Sequence, residues 1–270
     1  MKKNNLTNLR VFVINLHDHK DKRSRMKKIL SNFSFKYEFF SAFDGRELDI
    51  DYFKNYNDCK RKLFLGRSLF PSELGALESN RLILKKITNE KIEKALVLED
   101  DISFNENFEI YLKKIINLQY NWELIRFNEN KKINTAFSRK VIDLDKNVSL
   151  RRFPKLYGGS HAYLITLDGA KKILQLTENY YHHIDLIMGQ TWKNNLNSLF
   201  CIPGLVWQLP ELNVVPENHP RFIKKTKKLT NFYPYSRFLY KIYEAIAKWY
   251  FFSITFFSDQ RNYKKSKIKS

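Results

Sequence analysis

The sequence predicts an α/β sandwich with a largely parallel central sheet. Short apolar runs rich in β-branched residues alternate with segments whose apolar residues recur at helical spacing. One of these runs ends abruptly in three carboxylates, at the position where open α/β sheets bind ligands. The chain has 270 residues, 43% of them hydrophobic and 28% charged, so it can bury a core of one or two domains.

The first half of the chain is predicted to contain four strands and two helices. In order these are a strand at 11–16, a helix through Met26, Ile29 and Leu30, a strand at 35–43 closed by Asp44 and Gly45, an irregular stretch at 46–66, a helix at 71–87, and strands at 95–98 and 122–127. Ser72 is expected to cap the second helix, because its hydroxyl can accept a first-turn N–H bond.

The second half is predicted to continue the alternation of strands and helices. It contains a polar loop or hairpin at 128–150, a strand at 160–166, helices at 168–176 and 182–192, and short strands on either side of Pro203 and Gly204. Asp168 is expected to cap the first of these helices.

Charge divides the chain into two unequal regions. The formal net charge is +20, and residues 221–270 contain 13 basic and two acidic residues. We therefore predict a catalytic-type α/β domain at 1–220 and a separate basic, aromatic, helical segment at 221–270. The two cysteines, Cys59 and Cys201, are far apart in sequence and suit a reduced compartment.

The stretch ALVLEDDISF, residues 95–104, places Glu99, Asp100 and Asp101 directly after a buried strand. Crowded carboxylates repel one another, and a divalent cation would relieve the conflict. Hard oxygen ligands suit Mg²⁺ or Mn²⁺, which are often held by one or two carboxylates together with substrate phosphates. The alternative is a solvated acidic turn.

Six segments follow one another within residues 9–215. They are VFVINLHDHKDKRSRM, FFSAFDG, SELGALESN, ALVLEDDISF, GGSHAYLITLDGAKKIL and HHIDLIM. Together, in this order, they resemble glycosyltransferase family 25, which includes lipooligosaccharide-type and collagen galactosyltransferases. The resemblance implies a GT-A-like, Rossmann-type fold, a UDP-sugar donor, a divalent metal and inverting hexose transfer to a glycan acceptor. It favours UDP-galactose and a lipooligosaccharide or other surface glycan, with UDP-glucose or a UDP-N-acetylhexosamine as alternative donors.

With that resemblance, the acids receive candidate roles. Asp101 is the expected metal ligand, and Glu99 and Asp100 are expected to contact metal or donor. Asp185 is the candidate base that deprotonates the acceptor hydroxyl, although it could equally be a first-turn helix acid. His161, at the start of a strand, could bind phosphate, metal or sugar, or could simply be a core histidine.

The remaining candidates concern the nucleotide pocket. These residues are Asn15, Arg23, Asp44 and Gly45, together with Glu73 and Asn80, which share a helix face, and His219 as a late metal ligand. Asn80 stands where the family usually has histidine, and an amide cannot titrate. A catalytically degenerate member that binds glycan or nucleotide is therefore the alternative to an enzyme.

The segment 221–270 combines cations with aromatic rings, and twelve aromatic residues lie between Phe232 and Phe257. This composition is typical of an interfacial anchor on anionic lipid. A helical hairpin packed on the domain and a nucleic-acid patch are the alternatives. No stretch reaches the roughly 18 apolar residues of a membrane span, and no signal peptide is recognised. We expect a cytoplasmic protein, peripheral on the inner face of a bacterial membrane, with no nucleic-acid partner.

Overall fold

The computed structural model describes residues 6, 8–45, 49–129, 134–154, 157–212 and 233–268. The strands are β1 (Arg10–Asn15), β2 (Glu38–Ser41), β3 (Lys94–Glu99), β4 (Ile102–Phe104), β5 (Leu124–Arg126), β6 (Arg139–Asp143), β7 (Ser149–Arg152), β8 (Ala162–Thr166), β9 (Ser198–Ile202) and β10 (Val206–Gln208). The helices are α1 (Lys20–Leu30), α2 (Asp58–Leu65), α3 (Pro71–Asn89), α4 (Phe108–Ile116), α5 (Leu167–Leu176), α6 (Ile184–Gly189), α7 (Tyr233–Ile254) and α8 (Phe256–Ile268).

Eight strands form one twisted sheet in the order β2-β1-β3-β8-β5-β9-β7-β6, and β4 and β10 form a separate ribbon. Six of the eight strands run in one direction, while β7 and β8 run against them. The predicted α/β class with a mainly parallel sheet is therefore confirmed. The loop or hairpin predicted at 128–150 is a hairpin of β6 and β7.

The sheet is covered on both faces, because alternate side chains of each strand point to opposite sides. On β3, Leu96 and Leu98 belong to the core cluster that includes α1 and α4. Their neighbours Ala95 and Val97 belong to the cluster that includes α3, α5 and α6. This arrangement explains why strand 95–98 reads as a continuous apolar run.

The irregular stretch predicted at 46–66 is wrong in its second half, where the structure has helix α2. Asn57 caps this helix by accepting a bond from the Lys60 N–H at 2.9 Å, and Gly66 ends it with φ of 84°. The helix packs against α7, which lies about 170 residues further along the chain. Because its packing partner is so remote, no local apolar pattern predicted it.

Both predicted helix caps are wrong by one or two residues. Helix α3 begins at Pro71, and the Glu73 carboxylate, not Ser72, accepts the Phe70 N–H at 2.9 Å. Helix α5 is capped by Thr166, whose hydroxyl accepts the Gly169 N–H at 3.2 Å, while Asp168 lies in the first turn.

Because β8 runs against its neighbours, its first residues lie at the end of the sheet that carries the predicted site acids. In the register of the two strands, Leu98 pairs with Ala162 and Lys94 pairs with Thr166. The start of β8 therefore lies beside the carboxyl ends of β1, β3 and β5. Residues 157–161, which precede β8, share an edge with the acids that follow β3.

The C-terminal helices lie against the domain: α7 contacts α2, and α8 contacts β6. The Asp259 carboxylate of α8 is fully buried and accepts bonds from Arg139 at 2.6 Å and from Arg152 at 2.8 Å. The helical packing agrees with the hairpin alternative, although many aromatic rings of α7 stay exposed. The predicted boundary at 220 lies outside the described residues.

None of the helices in the described part of the chain is both long and apolar enough to cross a bilayer.

Candidate active site

Polar side chains from four neighbouring strands meet at one end of those strands. Asn15 ends β1, Glu99 ends β3 and is followed by Asp100 and Asp101, Asn128 follows β5, and Gly159 to His161 precede β8. The Glu99 N–H donates to the His161 carbonyl at 2.9 Å, which joins the two central strands at this edge. The predicted site acids therefore lie where an open α/β sheet binds ligands.

Asp100 is buried and neutralised by the first strand–helix unit. Asn15 Nδ2 donates to its carboxylate at 2.7 Å. Lys22 Nζ lies 3.6 Å and His19 Nδ1 lies 3.8 Å from carboxylate oxygens of Asp100. Asp100 thus attaches the start of α1 to the acidic turn and places two cationic or titratable groups beside the cleft.

Glu99 lies among other carboxylates with little direct compensation. Ser160 Oγ at 3.4 Å and Gln208 Nε2 at 3.0 Å donate to its two oxygens. Its recessed position, followed by repulsion from Asp101, Asp185 and Asp100, raises the pKa of Glu99 well above its ordinary value. A positive charge arriving beside Glu99 would reverse that effect.

Asp101 carries a buried carboxylate oxygen without a hydrogen-bond partner in the described part of the chain. This oxygen is Oδ1, and the residue as a whole is buried. Leaving a carboxylate oxygen buried and unpaired is costly. An orphaned oxygen on Asp101 and a raised pKa on Glu99 both fit a divalent cation.

Within the described ranges, no three His, Cys, Asp or Glu side chains converge as a complete metal cluster. Mg²⁺ and Mn²⁺ are often held by one or two carboxylates, with water and substrate phosphates as their remaining ligands. Asp101 and Glu99 are the residues that would hold the cation.

Asp185 lies in the first turn of α6, near enough to Glu99 for its charge to raise the pKa of Glu99, but it is not among the described residues that line the neighbouring cleft. Its Oδ2 accepts the Gly159 N–H at 2.9 Å and lies 3.9 Å from His183 Nδ1. Beneath it, the fully buried Arg126 donates to the Asp185 carbonyl at 3.0 Å and to the Tyr157 carbonyl at 2.7 Å. Burial lowers the pKa of Arg126 to about 10, and it remains charged at neutral pH.

A cleft of about 280 Å³ opens beside these acids. Its walls come from β1, the turn after β2 and helix α3, and its lining is Ile14, Leu16, His19, Lys22, Ala42, Phe43, Asp44, Gly45, Ser72, Gly75, Ala76, Ser79, Asn80, Glu99 and Asp100. The turn must pack closely on α3, since a Cβ on Gly45 would lie 2.5 Å from the Pro71 carbonyl oxygen. The cleft combines apolar walls, two basic groups and a carboxylate rim.

Residues 8–188 match the model of the family described as glycosyltransferase family 25 (LPS biosynthesis protein). The chain belongs to glycosyltransferase family 25. An alignment of 172 residues with human procollagen galactosyltransferase 2 shows 28% identity and covers 61% of this chain and 27% of the human protein. An alignment of 179 residues with an Aedes aegypti glycosyltransferase 25 family member shows 28% identity and covers 61% of this chain and 28% of that protein.

Some relatives carry names that indicate no activity. An alignment of 181 residues with a rat protein named probable inactive glycosyltransferase 25 family member 3 shows 26% identity. It covers 61% of this chain and 29% of the rat protein. The chain spans little more than a quarter of the length of these curated relatives. A crystal structure of a glycosyltransferase involved in glycosylation of the major capsid of PBCV-1 superimposes over 74% of this chain and 92% of its own, with 8% identity and a TM-score of 0.41, too low to bear on function.

Asn80, the departure from the usual family histidine, lies at the base of the cleft. Its Oδ1 accepts the Tyr163 hydroxyl at 2.7 Å, and its Nδ2 donates to the Ala76 carbonyl at 2.9 Å. Glu73, predicted to share its face, instead receives two bonds from Arg67 at 2.8 and 2.9 Å. Against the effect of burial, these bonds lower the pKa of Glu73. Glu73 is not among the residues that line the cleft.

Two other predicted residues occupy less direct positions. The guanidinium of Arg23 lies over the Phe39 ring at 4.3 Å, outside the lining of the cleft. His161 is buried with its Nε2 3.4 Å from the Val206 carbonyl, and burial lowers its pKa, so its ring is neutral. His219 lies outside the described residues.

Sequence reasoning missed several residues of the site. Lys22 and Arg23 lie four and three residues before Met26, so both fit one face of α1 and their spacing could not show that Lys22 lines the cleft. Arg126 and Asn128 had no local signal either, since their roles depend on β8 and α6 meeting β5. The Tyr240 hydroxyl of α7 lies 2.7 Å from His182 Nε2, which connects the C-terminal helix to the segment that carries Asp185.

Proposed function

We propose that the chain is an inverting, metal-dependent hexosyltransferase that uses a UDP-sugar donor. Galactose is the favoured sugar, and a lipooligosaccharide or another surface glycan is the favoured acceptor. The names of the procollagen galactosyltransferase relatives support the sugar, and the description of the family supports the class of acceptor. UDP-glucose and UDP-N-acetylhexosamine are the alternative donors.

One observation carries the proposal: Asp101 and Asp185 lie near enough to Glu99, on the rim of the cleft, for their charges to raise its pKa, and both Glu99 and Asp101 favour an added cation. A bound Mn²⁺ or Mg²⁺ would offset the charge that develops on the leaving diphosphate. Asn15, Asp44 and the neighbouring walls of the cleft would hold the nucleoside, and Lys22 is placed to meet phosphate charge.

Asp185 is the proposed general base. Its carboxylate would take the proton from the acceptor hydroxyl as that oxygen attacks the anomeric carbon and the bond to UDP breaks. Attack from the face opposite UDP inverts the configuration in a single displacement. Arg126 and the Gly159 N–H fix the backbone and one oxygen of Asp185, which leaves its other oxygen for the acceptor.

The decisive assay is UDP release from a panel of UDP-sugars, with Mn²⁺ and with chelator. Asp101→Ala is the test variant, and Asp168→Ala is its matched control, because Asp168 is highly exposed at the opposite edge of the sheet. We expect metal-dependent release from one sugar, lost in Asp101→Ala and retained in Asp168→Ala. Equal release by both variants would contradict the proposal.

A second candidate function, a glycan- or nucleotide-binding member without turnover, is favoured by Asn80. Its amide cannot titrate, and both the oxygen and the nitrogen of the amide are already hydrogen-bonded within the protein. The presence of relatives named inactive agrees with this candidate. Metal-dependent UDP binding without release from any sugar, even with an oligosaccharide acceptor mixture, would favour it over the enzyme.

A further inference from the structure

The outer face of helix α7 is the most apolar exposed surface in the described part of the chain. Among all the described residues, sixteen large apolar side chains are exposed, and eleven of these sixteen lie on α7 or at the start of α8. The eleven are Tyr235, Phe238, Leu239, Ile242, Tyr243, Ile246, Trp249, Tyr250, Ile254, Phe256 and Phe257. We call these eleven residues the outer stripe.

Nine members of the outer stripe lie on α7 at helical spacing and share one side of that helix, while Phe256 and Phe257 begin α8. The opposite side of α7 is committed to the domain. Ser236 Oγ donates to the Leu63 carbonyl at 2.6 Å, and the Tyr240 ring stacks on Phe64 with centroids 4.9 Å apart. With 22 residues, α7 presents this stripe over about 33 Å.

The interior of the domain does not need the outer stripe. Both faces of the central sheet are already covered by helices α1, α3, α4, α5 and α6. Phe257 is 80% exposed and Ile246 is 65% exposed, so the stripe leaves large apolar area in water. Contiguous exposed apolar area of this kind marks an interaction surface.

The charge around the stripe selects the partner. Residues 233–268 contain seven basic and two acidic side chains. Both acids are internally paired, Asp259 with two buried arginines and Glu244 with Lys248 at 3.3 Å. A second copy of this chain would bring like charge against like, whereas an anionic lipid surface has the complementary sign. Tyrosine and tryptophan rings also suit the headgroup zone.

We propose that the outer stripe docks on an anionic bilayer, with α7 lying in the plane of the headgroups. The cations beside the stripe, among them Lys241, Arg261 and Lys264, would face the lipid phosphates, and the rings would enter the acyl boundary. This binding does not depend on the chemistry proposed above.

The docked helix also determines what else lies close to the lipid. Tyr240 projects from the inner side of α7 to His182, three residues before Asp185. One helix, roughly 10–12 Å across with its side chains, therefore separates the lipid-facing stripe from the segment that carries the proposed base. A glycan whose carrier lies in the bilayer would need to extend only a short distance to reach the cleft.

The test uses the full chain and sedimentation with vesicles of phosphatidylcholine containing phosphatidylglycerol, and with vesicles of phosphatidylcholine alone. Ile246→Glu is the test variant. Ile110→Glu is its matched control, because Ile110 is 54% exposed on α4 and the change in residue and charge is identical. Thermal unfolding without vesicles establishes that each variant is folded.

We expect the wild type and Ile110→Glu to bind the anionic vesicles alike, and Ile246→Glu to bind them at least about tenfold more weakly. Binding to the anionic vesicles should fall as salt rises. Equal losses in the two variants would overturn the proposal, as would failure of the wild type to bind anionic vesicles. Two other results, each without binding to the vesicles, would also overturn the proposal. One is a concentration-dependent dimer that Ile246→Glu abolishes, and the other is preferential binding to RNA.

Discussion

The carboxylate cleft and the C-terminal helices distribute charge in opposite ways. At the cleft, the domain holds its apolar residues inside, and Glu99 lies on the rim with Asp101 and Asp185 near it. At the C-terminal helices, the charges of Asp259, Arg139 and Arg152 are inside, and the aromatic rings are outside. Concentrated negative charge favours binding of a cation, which in turn attracts phosphate. An exposed apolar stripe beside basic residues instead favours binding to anionic lipid.

The two regions also differ in whether the family match covers them. The match covers residues 8–188, which contain the cleft, and ends before α7 and α8. The outer stripe therefore lies outside the matched residues. The Tyr240–His182 contact joins α7 to a residue inside them.

The largest expected effect concerns the cleft and is that of Asp185→Asn. The amide can still accept the Gly159 N–H, but it cannot take a proton, so sugar transfer should fall about 10²- to 10⁴-fold. Binding of UDP with Mn²⁺ should stay unchanged. Steady-state transfer and calorimetric UDP titration measure the two quantities, and Asp168→Asn is the surface control. A parallel loss of transfer and UDP binding would assign Asp185 to donor binding instead.

The next effect concerns the C-terminal helices. Asp259→Asn removes the charge that two buried arginines share and should lower the free energy of unfolding by about 3–5 kcal/mol. Denaturant unfolding measures this loss. Asp168→Asn, a change of the same type on the surface, should alter stability by less than about 0.5 kcal/mol. Comparable values for the two variants would mean that the buried ion cluster does not hold α8 in place.

A smaller effect is expected where the two regions meet. Tyr240→Phe keeps the ring stacked on Phe64 but leaves His182 Nε2 without its partner. Burial lowers the pKa of His182 to about 3, so the ring is neutral, and the cost should be about 1–2 kcal/mol of unfolding free energy. Tyr243→Phe, on the exposed outer stripe, is the matched control and should be nearly neutral. If Tyr240→Phe also raises KM for the acceptor while UDP binding is unchanged, the contact positions the Asp185 segment.

The smallest effect is a gain in stability from Glu99→Gln. Because the folded protein raises the pKa of Glu99, ionising it costs stability. That loss begins as pH rises above the ordinary carboxyl value and is complete above the raised value. At neutral pH and without metal, Glu99→Gln should therefore have a larger free energy of unfolding than the wild type, by on the order of 1 kcal/mol, and should unfold at a higher temperature. At low pH the two proteins should be equally stable. A pH series of thermal unfolding with chelator measures this, and a difference independent of pH would contradict it.

Much of the domain could be predicted because its elements have local signals. The apolar run of β3, the stripe of α3 and the run before α5 each carry their own periodicity. Helix α2 could not, since its apolar contacts are made with α7. The caps at Ser72 and Asp168 were misplaced because neighbouring residues, Glu73 and Thr166, supply an equally good acceptor one or two positions away.

The site was predictable to the extent that chain order reflects space. The acids after β3 follow from the rule for strand ends, and Asp185 followed from the family resemblance. Arg126 and Asn128 were missed because their place in the site depends on β8, which lies between β3 and β5, runs against both, and so brings residues 157–161 to the carboxyl ends of those strands. The direction of a strand is not written in its own residues, so no local pattern indicated this arrangement.

The central claim is that the carboxylates after β3 hold a cation that binds the diphosphate of a nucleotide. Its most direct test is calorimetric titration of UDP, with Mn²⁺ and with chelator, into the wild type, Asp101→Ala and Asp168→Ala. The account predicts metal-dependent binding to the wild type and to Asp168→Ala, and at least about a hundredfold weaker binding to Asp101→Ala. UDP binding that neither the chelator nor Asp101→Ala weakens would contradict it.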